Sequence, residues 1–140
     1  MVLQLILDGA EFTVYAIMQG ESVLEYLARL ESVNAQAHAQ IARRLEQIAS
    51  RGPSKKKDEF RDLGHDLYEA KAKTGPRVIF FYDKNWIVIC SHAFDKQGKK
   101  TPRKEIKKAM RNRRDYFYHK AARKITINKA EDEPIPRRQP

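Results

Sequence analysis

Lysine, arginine, histidine and tyrosine recur at the ends of the apolar runs in the second half of the chain, and together they could move protons around a phosphate. Lys71 and Lys73 are two residues apart, so they share one face of an extended segment. Arg77 opens the next apolar run, Ser91-His92 closes the one after it, and Lys96, Lys99 and Lys100 follow in a loop. Attack of a ribose 2′-hydroxyl on its own phosphate requires a base for that hydroxyl, cations for the charge added to phosphorus, and an acid for the departing 5′-oxygen. Closely packed lysines depress one another's pKa, which turns one of them into a base near neutrality. Lys71 and His92 are both candidates for that base. Arg77, which stays charged and grips phosphate bidentately, and Lys96 are candidates to stabilise the phosphate. Tyr116 and Tyr118 could stack on a splayed base or donate a proton. This route requires no metal. The same residues also fit a plain alternative, ordinary surface cations over core aromatics.

Other chemistries leave no signature. There is no glycine-rich phosphate loop and no G-x-S-x-G elbow. The four histidines, His38, His65, His92 and His119, fall on different elements, which argues against a metal site, and no cofactor is expected. Cys90, the single cysteine, rules out an internal disulfide and sits in an apolar run where a thiol is an inert small hydrophobe.

At 140 residues the chain fits one compact domain. Its net charge of +10 is unevenly placed. Lys96 to Lys124 holds thirteen Lys and Arg against two acids, Glu105 and Asp115, so nearly the whole excess lies there. Such a field attracts polyanions and speeds their encounter. Lys73, Lys99, Lys100, Arg103, Lys107, Arg111 and Arg114 are the candidate RNA-binding cations. The opening apolar stretch, Met1 to Leu7, is too short for a signal peptide or a membrane span, so a soluble cytoplasmic protein is expected.

These residues need a scaffold. Glu11 to Met18 is β-branched and aromatic and reads as a strand, with Leu3 to Leu7 as a possible hairpin partner across Asp8-Gly9. Ser22-Val23-Leu24-Glu25 is a capping box that starts one helix, and Ile41, Leu45, Ile48 and Ala49 mark a second, from about Asn34 to Ser50. After a charged connector, Ser54 to Asp62, three strands follow as an antiparallel meander: Asp66 to Lys73, half exposed, then Arg77 to Tyr82 and Trp86 to Cys90, both central and buried. Thr101 as N-cap and Pro102 as first helical residue open a last helix, with Ile106, Ala109, Met110, Arg113 and Phe117 on one face. The expected fold is α+β, an antiparallel sheet with a two-helix N-terminal hairpin on one face and a basic C-terminal helix. Residues 1–120 form the expected domain and 121–140 a tail, basic and then Pro-rich, expected to be mobile.

Tyr68-Glu69-Ala70-Lys71, Arg77-Val78-Ile79-Phe80-Phe81-Tyr82, and His92 to Pro102 followed by Glu105-Ile106 and Arg114-Asp115-Tyr116 carry a resemblance over residues 11 to 118. In these pieces and their order the chain resembles the RelE/ParE toxin superfamily, most of all its HigB-like, phage-related branch. The resemblance implies a RelE-like fold and the toxin of a type II toxin–antitoxin pair. It further implies a ribosome-dependent endoribonuclease that cuts mRNA in the 30S A site without a metal, and a cognate antitoxin that covers the basic site. By position, Lys71 matches the family's proton-transfer lysine, Arg77 its phosphate-stabilising arginine, and Lys96 its basic loop. Asp115-Tyr116 resembles the Asp-Tyr pair near the HigB C-terminus. The chain departs from the pattern in three places: Glu69 stands where a second lysine is common, Asp95 and Gln97 flank Lys96 where the branch has paired lysines, and Ile106 or Lys107 replaces an early helix tyrosine.

Two other functions share this fold. A ParE-like gyrase poison lacks the cationic cluster, and the charge run argues against it. A weakened relative that only binds nucleic acid, the ribosome or its antitoxin is kept in view by Glu69 and Asp95.

Overall fold

A computed structural model describes residues 1–129. Alternating β-branched and aromatic residues form β1 (Val2–Asp8) and β2 (Thr13–Ile17), which pair as an antiparallel hairpin, Leu3 opposite Ile17. The hairpin turn lies against the following helices: a Cβ on Gly9 would come within 2.2 Å of the Ala49 carbonyl oxygen, so only glycine fits there. That same carbonyl accepts hydrogen bonds from the Glu11 and Phe12 backbone N–H groups, at 2.9 Å each.

The capping box is formed as the sequence predicts. Ser22 Oγ accepts from the Glu25 N–H at 3.2 Å and Glu25 Oε1 from the Ser22 N–H at 3.1 Å, which starts α1 (Val23–Val33). Asn34 both ends α1 and caps α2 (Ala35–Arg51), its Oδ1 accepting from the Ala37 N–H at 3.1 Å. Gly52 stops α2 at φ +84, a conformation suited to glycine.

Four strands follow: β3 (Phe60–Gly64), β4 (Leu67–Lys71), β5 (Pro76–Asp83) and β6 (Ile87–Asp95). They form an antiparallel meander, and β6 then pairs in parallel with β2. Helix α3 (Arg103–Ala121) leads to the short β7 (Thr126–Asn128), parallel to β1. The sheet order is β3-β4-β5-β6-β2-β1-β7. Side chains alternate across it. Val78, Phe80, Val88 and Cys90 meet Leu27, Ile41, Leu45 and Ile48 of α1 and α2, while Ile79, Phe81 and Ile89 meet Ala109 and Tyr116 of α3. Helices therefore cover both faces. Burial pushes the Cys90 thiol up to about 12, so it stays protonated.

The α+β architecture expected from the sequence is present, with differences of physical interest. The sheet is mixed, because β2 and β7 enter it in parallel. Strand β3 begins inside the stretch read as a connector and runs two residues past it; an edge strand keeps its polar residues, and Arg61 and Asp62 hid the pattern. Strand β4 is more buried than an alternating pattern suggests, since Glu69 is wholly enclosed. The sheet continues to Asn128, so residues 126–128 belong to it rather than to a tail; residues 130–140 lie outside the described part. Pro102, not Thr101, is the N-cap of α3. Of the expected inward face of α3, Ile106, Ala109 and Phe117 pack on the core, whereas Met110 is exposed and Asn112 and Tyr116 are buried in addition.

Candidate nucleic-acid interface

Register gathers the cations. Lys71 on β4 pairs with Arg77 on β5, and Arg77 pairs with Phe94 on β6. The Lys96 N–H donates to the Gly75 carbonyl at 2.8 Å, fastening the chain after β6 to the β4–β5 turn. Lys71, Arg77 and Lys96 thus meet at one end of three adjacent strands. Arg61, opposite Glu69 on β3, joins them from the sheet edge. Burial lowers the Lys96 pKa, and the positive charges of Arg77, Lys71 and Arg61 lower it further against the pull of Glu69. The sequence brought the first three into view; Arg61 was missed because its strand was.

Arg77 is 7% exposed. Its Nη1 donates to the carbonyls of Ala72 at 3.2 Å, Pro76 at 2.9 Å and Thr74, bracing the turn. Its Nε lies 3.8 Å from Glu69 Oε1, and neither atom has a hydrogen-bond partner among the described residues. Burial lowers the Arg77 pKa while the Glu69 charge supports the cation. Glu69 Oε2 accepts from Thr101 Oγ1 at 2.6 Å. Asp95 is also engaged: the Tyr26 hydroxyl of α1 donates to its Oδ1. Both acids that depart from the RelE pattern are therefore held by neighbours. Lys71 Nζ donates to the Lys57 carbonyl at 3.0 Å.

His92 and Tyr116 are placed elsewhere than the sequence suggested. His92 is 2% exposed; its Nδ1 is 2.9 Å from Ser91 Oγ and its Nε2 2.9 Å from Glu105 Oε1, so it ties β6 to α3. Burial lowers its pKa, with the Glu105 bond opposing. With both ring nitrogens occupied and no open surface, it is not positioned to take a proton from a substrate. Tyr116 is buried against Phe81 and Phe117, and its hydroxyl donates to Asp83 Oδ2 at 2.6 Å. Asp83 ends the strand whose second residue is Arg77, roughly 20 Å away at about 3.3 Å per residue. Stacking on an RNA base is closed to Tyr116; Tyr118, 69% exposed, keeps its ring in solvent.

The remaining cations lie outward. Lys73, Lys99 and Lys100 are exposed around the strand ends. Arg103, Lys107, Arg111 and Arg114 recur at three- and four-residue spacing along the solvent face of α3. None of the four forms an ion pair among the described residues, whereas Arg113 turns inward over the Phe117 ring, 5.0 Å from its centroid. No cluster of three His, Cys, Asp or Glu able to hold a metal occurs among the described residues, and no described helix is long and apolar enough to cross a membrane.

The fold is a mixed α+β domain of seven strands and three helices among the described residues, compatible with a RelE-like fold, with a cationic cluster at one end of its meander. The family model described as Phage derived protein Gp49-like (DUF891) matches residues 28–114, more than half of the chain, and the protein belongs to that family. It is a family of type II toxins of the RelE/HigB kind, which suggests an antitoxin as partner. The match runs from α1 into α3 and includes Lys71, Arg77 and Lys96 but not Tyr116. No curated protein matches the chain significantly.

Proposed function

We propose that this protein is the toxin of a type II pair and a ribosome-dependent endoribonuclease that cuts mRNA in the 30S A site by 2′-hydroxyl attack. The observation that carries this reading is the meeting of Lys71, Arg77, Lys96 and Arg61 at one strand end, with Lys96 made less basic by its surroundings. In the proposed step neutral Lys96 takes the 2′-hydroxyl proton as the 2′-oxygen bonds to phosphorus. Arg77 and Arg61 hold the non-bridging oxygens. The bond from phosphorus to the 5′-oxygen breaks, and the Lys71 ammonium supplies that oxygen with a proton. The products are a 2′,3′-cyclic phosphate and a free 5′-hydroxyl. The cations of α3 bind RNA around the site, and the antitoxin covers the same surface.

A second reading, a protein that binds RNA or antitoxin without cutting, is favoured by the burial of Arg77 and the use of its Nη1 on three carbonyls. Expression in bacteria with mapping of mRNA 5′-ends separates the two. Cuts inside translated codons that vanish in Lys96→Ala support cleavage; growth arrest without new 5′-ends supports binding alone.

A further inference from the structure

Phe60, Arg61 and Asp62 of β3 line two adjoining clefts. One, of about 430 Å³, is completed by Lys57 and Lys71 and opens beside the cation cluster. The other, of about 310 Å³, is completed by the Pro53–Lys55 loop after α2 and by Tyr68, Phe80 and Tyr82. Because β3 is the edge of the sheet, a single strand of RNA can pass around it from one cleft into the other.

The second cleft has an aromatic floor. The Tyr68 ring stacks on Phe80 at 5.8 Å, and Tyr82 stands edge-on to Tyr68 at 5.1 Å. Neither tyrosine hydroxyl forms a hydrogen bond among the described residues. Burial pushes the Tyr82 phenol up to about 12, so it remains a donor at neutral pH. Lys55 and Arg61 supply positive charge at the rim, and the Asp62 carboxylate is turned to the Gly64 N–H, 2.8 Å away. The volume sits at the small end of the roughly 300–1,000 Å³ typical of small-molecule sites, which suits one heterocycle better than a folded segment.

We propose that this cleft is a nucleobase subsite for the RNA whose phosphate lies at the cation cluster, with the base stacked on Tyr68, the Tyr82 phenol donating to its edge, and Arg61 between base and scissile phosphate. The proposal rests on the RNA-directed reading above. A stacking ring, a phenol donor and cations together favour a base over an apolar protein side chain, which would leave the Tyr82 hydroxyl unpaired.

The test uses the full chain and a short 2′-O-methyl oligoribonucleotide, which cannot be cleaved, against oligomers of equal length carrying one abasic position moved along the strand. Binding is read by anisotropy and by emission of Trp86, the one tryptophan, which touches Phe12 and through it Tyr82. One abasic position should weaken binding roughly tenfold, as loss of a stacked base does. Tyr68→Leu should lose the same factor with the intact oligomer and become indifferent to that abasic position, while Tyr68→Phe, which keeps the ring, binds as wild type. If no abasic position weakens binding, yet Arg61→Ala and Lys71→Ala do, the subsite is overturned and RNA recognition stands. If neither oligomer binds, the subsite is overturned, while the cleavage reading is decided separately by the 5′-end mapping on translating ribosomes.

Discussion

Arg77 and Glu69 face each other inside the protein with their nearest atoms 3.8 Å apart, and each would be a buried charge alone. Removing one partner of a buried pair typically costs about 3–5 kcal/mol, whereas replacing both with apolar residues is often neutral. Arg77→Met should therefore lower stability to urea markedly, and Arg77→Met with Glu69→Leu should recover most of it while remaining inactive in the cleavage assay. Equal instability of the single and double variants would show that Arg77 acts through the turn carbonyls instead. His92 gives a pH signature. Its folded pKa lies below the ordinary 6.5, so the unfolded chain binds its proton first as pH falls. Stability should be full above that value and decline below it. In His92→Gln, urea titrations at pH 7.5 and 5.5 should differ less than in wild type. Such roles were only partly legible in sequence: Lys71, Arg77 and Lys96 could be picked out from strand ends, but no spacing rule reveals that an adjacent Ser91 and a distant Glu105 enclose His92. The burial of the Tyr116 ring, likewise, could not be read from spacing alone, because the apolar face of α3 is wide enough to take in Tyr116 beside Phe117.

Helix α3 does two jobs along two faces. Its inner face rests on Phe81 and Ile79 through Ala109 and Tyr116, and its outer face presents Arg103, Lys107, Arg111 and Arg114 without acidic partners among the described residues. Each phosphate neutralised adds about 0.7 to the slope of log affinity against log salt for single-stranded RNA. Arg111→Gln with Arg114→Gln should thus flatten that slope by about 1.4. An unchanged slope would remove this face from the RNA surface. The helices were readable because their capping residues and apolar spacing act locally. Strands β3 and β7 were not, since an edge strand and a three-residue strand acquire their identity only from the partners they meet.

At the scale of the whole molecule, the first and last described strands lie together. Met1 donates from its terminal amine to the Lys124 carbonyl at 2.9 Å, and β7 lies parallel to β1 with Leu3 opposite Ile127. A chain ending at Ala122 should lose stability and associate, because the β1 edge is then uncovered. Size-exclusion chromatography and thermal melting would register both. A monomer of unchanged melting temperature would show that β7 contributes nothing. The meander and helical hairpin were foreseeable from short links. The parallel pairings were not, because they join segments some seventy to more than a hundred residues apart, and no local signal encodes them.

Central strand β6 joins the meander on one side and β2 on the other, with Thr13 opposite Ile87. During synthesis the N-terminal hairpin leaves the ribosome long before its partner strand exists. The earliest-made strands must wait, and loop closure over such a span slows assembly. The cation cluster depends on the loop after β6, so it too is completed late. The charges of the cluster therefore act as a group only in the assembled sheet, once β6 has docked between β5 and β2.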